Sequence, residues 1–97
     1  MHVVIHHHIS DAVKWDRSVK HIMSLIDQHR LPDGFKALQF LPSADGRNAV
    51  CLWATDSPTA LRKFMDRETG GSRNEYFEVK DEAAIGLPGG EVLAKAA

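Results

Sequence analysis

The chain has 97 residues, 43% hydrophobic and 26% charged, with twelve basic and thirteen acidic groups giving a formal net charge of −1. This length predicts one domain with a modest core, and the near-neutral balance excludes a general binder of phosphate backbones, so no nucleic-acid partner is expected. No run of about 18 apolar residues could span a membrane, no apolar leader follows a basic start, and the single Cys51 cannot close an intramolecular disulfide, which predicts a cytoplasmic protein.

Residues 2–9 predict the first strand. Val3, Ile5 and Ile9 share one face with His7, and His2, Val4, His6 and His8 share the other. Ser10-Asp11 supplies an N-cap signal for a helix over about 12–29. Its apolar positions Trp15, Val19, Ile22, Met23 and Ile26 keep helical spacing. Leu31-Pro32-Asp33-Gly34 breaks that helix. Phe35–Leu41 reads as a second strand, Asp45-Gly46 as a hairpin turn and Asn48–Ala54 as a third strand. Ser57-Pro58 opens a second helix running to about Glu68, which buries Leu61, Phe64 and Met65 and stops at Gly70-Gly71. Asn74–Lys80 is the fourth strand, with one helical turn expected over Asp81–Ile85. The Gly-Leu-Pro-Gly-Gly hinge at 86–90 leads into an Ala-rich tail, so the domain is placed at 1–88 and the C-terminal tail at 89–97.

The order β-α-β-β-α-β is the ferredoxin-like pattern: an α+β fold with two helices on one face of a four-stranded antiparallel sheet. Strands one and three are then central. The opposite sheet face is left uncovered with Val4, Trp53 and Tyr76 expected on it, and a half-apolar uncovered face marks a partner surface.

This arrangement over residues 2–85 resembles the dimeric α/β-barrel superfamily, in which two such sheets meet face to face around a cavity. The stretches Asn74-Glu75-Tyr76-Phe77-Glu78-Val79 and Ala84-Ile85-Gly86-Leu87-Pro88 are similar to small bacterial members of it. A histidine pair ending strand one, His6-His7 or His7-His8, resembles a nickel-binding family of this fold. The resemblance implies a homodimer formed through the sheet. It also implies an alternative function, since the superfamily includes cofactor-independent monooxygenases and cyclase-type enzymes acting on aromatic or polyketide-like substrates. Its haem and quinol oxygenases use Asn, His and Trp, types present here as Asn48, Asn74 and Trp53.

Four of the six histidines lie in the first eight residues. His6 and His8 project from one strand face about 6.6–6.8 Å apart at Cα, within reach of one ion. The further donors are sought in Cys51 on strand three and in Glu75 or Glu78 on strand four, and the expected set is His6, His8, Cys51 and Glu78. A histidine-rich set suits Ni, Cu or Zn. Gln39, Trp53 and Tyr76 are expected to line the same cavity, although Trp53 and Phe40 also read as core or interface packing.

The remaining chemistry-bearing residues have plainer readings. His7 is read as a hydrogen-bonded core histidine facing the helices, and His21 and His29 as surface residues. Cys51 reads as a small buried hydrophobe, and a nucleophilic role would need a thiolate-stabilising neighbour, which a cross-strand His6 or His8 could provide. Arg62, Lys63 and Arg67 alternate with Asp66 and Glu68 as a solvated helix face.

Overall fold

A computed structural model describes residues 1–89. The tail expected over 89–97 therefore lies, beyond Gly89, outside the described residues. The elements are β1 (His2–Ile9), α1 (Ala12–Asp27), β2 (Lys36–Pro42), β3 (Asn48–Ala54), α2 (Pro58–Glu68) and β4 (Ser72–Glu78), followed by a 3-10 turn over Asp81–Ala83. The sheet order is β2-β3-β1-β4, with every neighbouring pair antiparallel. This is the ferredoxin-like α+β fold. β1 lies between β3 and β4, so its side chains meet partners on both sides.

Local chemistry sets the element ends. The Asp11 carboxylate caps α1, accepting from the amides of Val13 and Lys14 at 3.1 Å each. Helix α1 ends at Asp27, two residues before the expected end, because the Arg30 amide reaches back to the Leu25 carbonyl and the His29 amide to the Ile26 carbonyl. That paired closure is a Schellman motif. The Ser57 hydroxyl caps α2, with Pro58 following where its missing N–H is harmless. In the β2–β3 turn, Asp45 accepts from the Ser43 hydroxyl at 2.6 Å and the Arg47 amide at 3.0 Å, and Gly46 takes a φ of 74°. Pro42 fits inside β2 because that strand is an edge.

Gly71 joins the two halves of the fold. Its carbonyl accepts from the amides of Ser10 (2.8 Å) and Asp11 (3.1 Å), tying the start of α1 to the start of β4. This contact starts β4 at Ser72 rather than Asn74, with Ser72 paired to Ile9. The core lies between sheet and helices, where Val3, Ile5, Ile22, Ala37, Cys51, Trp53, Leu61, Phe64 and Met65 form one cluster. Ile5 and Leu61 are fully buried, and each such side chain contributes about 1.5–3 kcal/mol.

Among the described residues, no helix is long and apolar enough to cross a membrane.

Candidate metal centre on the open sheet face

Residues directly opposite in an antiparallel pair share a sheet face. The register opposes His6 to Val50 on β3 and Glu75 on β4, and His8 to Asn48 and Arg73. Val4 stands opposite Leu52 and Phe77. The face without helices therefore carries Val4, His6, His8, Asn48, Val50, Leu52, Arg73, Glu75 and Phe77. Gln39, paired with Leu52, joins them and is exposed.

On this face the His6 and His8 rings stack with centroids 4.0 Å apart and planes tilted by 34°. One ligating atom from each of His6, His8 and Glu75 lies within 4.8 Å of the other two. Donors about 2.1 Å from one ion stand at most about 4.2 Å apart, so a small side-chain rotation would close the three around a cation. The cluster near strand one could thus bind a metal. His6 Nε2 bonds the Asn48 Oδ1 at 2.9 Å. With the amide oxygen accepting, Nε2 is the donor of this bond and Nδ1 is the nitrogen left for ligation. His8 Nε2 bonds the Glu75 carboxylate directly, which holds that carboxyl below its ordinary pKa. Arg73 Nη1 lies 3.4 Å from the same carboxylate, on a side chain free to swing into solvent.

Four expected site residues lie elsewhere. Cys51 opposes Ile5 and Trp53 opposes Val3, so both face the helices and are buried. Tyr76 opposes Ile5 and Glu78 opposes Val3 on β4, which puts them on the helix side as well. Only His6, His8 and Gln39 of the expected set share the open face, and Glu75 stands where Cys51 and Glu78 were expected. Alternation fixes which residues of one strand share a face, but the relative phase of two strands comes from register. In β3 both parities are apolar, Ala49, Cys51 and Trp53 against Val50 and Leu52, so the pattern carries no phase.

The helix-covered face holds a second polar group. His7 is fully buried. Its Nδ1 bonds the Asn74 Oδ1 at 2.7 Å and its Nε2 meets the Cys51 Sγ at 3.2 Å. The Asn74 amide nitrogen faces Thr69 Oγ1 (2.9 Å), the Asp66 carboxylate (3.2 Å) and Tyr76 OH (3.3 Å). A carboxylate only accepts, so that end is the NH2 and Oδ1 points at His7. Nδ1 is then the donor of a neutral ring, and Nε2 accepts from the thiol. Burial pushes His7 below its ordinary value, with help from the His6 charge and against the Asn74 bond. Burial pushes the Cys51 thiol up to about 12. The neighbour of Cys51 is thus His7, not His6 or His8. Adjacent strand positions gave no sign of this; only the register brings residues 7, 51 and 74 together.

No protein-family model matches this chain, and a search of curated proteins finds no significant match.

Proposed function

We propose that this protein binds a borderline transition-metal ion through His6, His8 and Glu75, and that two copies pack sheet to sheet over it as a homodimeric α/β barrel. The observation that carries the reading is the convergence of three ligating atoms from two adjacent strands. Two imidazoles and a carboxylate, with no thiolate among them, suit Zn²⁺, Ni²⁺, Cu²⁺ or Fe²⁺ better than a soft ion. Three protein donors leave a position for water or a small ligand. Asn48 supports the set by holding His6 in the tautomer whose Nδ1 is free to ligate. Burial of the open face against a second copy is supported by Leu41 and Phe77, each 59% exposed on the edge strands of that face.

Calorimetric titration of metal-free protein with the four ions tests the reading. Heat is expected for at least one ion. It should be lost in the His6→Ala/His8→Ala variant and reduced at least about tenfold in affinity in Glu75→Gln. No heat for any ion, or heat unchanged in the double variant, overturns the metal reading. A monomeric mass by light scattering, with and without metal, overturns the dimer.

A further inference from the structure

We propose that Cys51, His7 and Asn74 form a second, covalent site, a thiol–imidazole–amide relay that adds to small, uncharged electrophilic alkenes admitted to the cavity beneath α1. The relay has the three parts such chemistry needs: a nucleophile, a base in contact with it, and a group that orients the base. Cys51 Sγ lies 3.2 Å from His7 Nε2, and Asn74 Oδ1 lies 2.7 Å from His7 Nδ1. Asn74 is a positioning residue. Its nitrogen is held by Thr69, Asp66 and Tyr76, so its oxygen cannot turn away from the ring.

The cavity identifies the ligand class. It has a volume of about 40 Å³ and is walled by Trp15, Ile22, Phe40 and Met65, with His7 and Cys51 at the sheet. This is room for about three water-sized groups. Charged or strongly hydrated molecules would lose their solvation there without recompense. Val19, Met23 and Ile26 of α1, all half-buried, line the same cavity on the helix side.

The step balances without a co-reactant. The S–H proton passes to His7 Nε2 as the sulfur bonds the β-carbon and the alkene π pair moves toward the activating carbonyl. The proton then returns from Nε2 to the α-carbon, leaving a neutral thioether and a neutral imidazole. Burial keeps the resting thiol protonated, so reaction requires a base already at the sulfur.

Acrylamide is the probe, with intact-mass detection of the Cys51 adduct at neutral pH. The native protein is expected to gain one adduct at a rate unchanged by urea below the unfolding transition. Asn74→Ala is expected to slow it at least about tenfold, a part of the roughly 10²–10⁴-fold that a positioned base contributes. Leu61→Ala, which destabilises the core away from both the cavity wall and the relay, should label at the same rate below its own unfolding transition. The proposal is overturned by no native adduct, by labelling that rises with urea in step with unfolding, or by Asn74→Ala labelling as fast as the unaltered protein. If Asn74→Ala does not fold, the urea series on the unaltered protein decides alone.

Discussion

The two faces of β1 put the same side chain to opposite uses. On the helix side, His7 is fully enclosed, with both ring nitrogens committed to Asn74 and Cys51 and its ring 4.7 Å from that of Trp15. On the open side, one residue away in either direction, His6 and His8 are half-buried, and the stacked rings converge with a carboxylate. Residue type therefore does not decide what a histidine does here. Strand alternation decides it, by assigning each ring to a dry or a wet face. A buried imidazole must be neutral and satisfied, so it can act only through the partners enclosed with it. A half-exposed one can exchange its partner for an ion.

Removing the cover should produce the largest effect. Gly71 has a φ of 77°, and a Cβ there would stand 2.4 Å from the Asp11 carbonyl oxygen and 2.8 Å from the Trp15 amide nitrogen. Both are backbone atoms of the helix start, and neither can rotate aside. Gly71→Ala must therefore lift α1 off the sheet or distort the start of β4, in addition to straining its own backbone. We expect a loss of at least about 3 kcal/mol in urea denaturation. A midpoint within experimental error of the unaltered protein would show that the cover is not anchored at Gly71.

Next in size is a reciprocal pair of substitutions. His7→Leu leaves the Cys51 thiol without its acceptor and the Asn74 oxygen with only the Ser72 hydroxyl, at 2.9 Å. The expected loss is about 1–3 kcal/mol, with metal affinity retained on the far face. His6→Ala/His8→Ala should do the reverse, abolishing metal binding at a stability cost within about 0.5 kcal/mol. Acid sharpens the contrast. Burial lowers the His7 pKa from 6.5, so below that pH the unfolded chain takes up a proton that the folded chain refuses. This stabilisation is complete above about pH 6.5 and is lost as pH falls toward the folded value, with a slope of at most about 1.4 kcal/mol per pH unit. Denaturation between pH 5 and 8 should show that slope in the unaltered protein and lose it in His7→Leu. Equal slopes in both would place the acid sensitivity elsewhere.

Much of this contrast could be read in the sequence, and the rest had a definite reason for being hidden. The alternation within residues 2–9 separated His7 from His6 and His8, and the capping residues Asp11 and Ser57 marked both helix starts. The partners of those histidines could not be read. Glu75 and Glu78 sit on opposite faces of one strand, and a single register step exchanges them. Hydrophobicity was misleading on β4, where Tyr76 points to the helices to reach Asp66 while the more apolar Phe77 is exposed. Register with β1, which sets Tyr76 opposite Ile5 and Phe77 opposite Val4, decided which ring faces the helices. The relay of residues 7, 51 and 74 combines three strands, and no local pattern encodes a contact of that kind.

The smallest expected effect concerns the far end of the covering helix. His29 occupies the left-handed position that follows the α1 C-cap, with a φ of 53°. Glycine is favoured there because a side chain costs about 1 kcal/mol in that conformation. The His29 ring is exposed and its backbone amide already bonds the Ile26 carbonyl at 3.1 Å, so the closure itself does not need the side chain. Glycine also has more freedom to lose from the unfolded chain, which offsets part of the relief. His29→Gly should therefore raise stability by about 0.5–1 kcal/mol, a melting shift of roughly 2–8 °C for a domain of this size. Metal affinity and thiol reactivity should not change, because the substitution tightens the cover without touching either face. A fall in melting temperature would mean that the ring contributes a contact worth more than the strain it imposes.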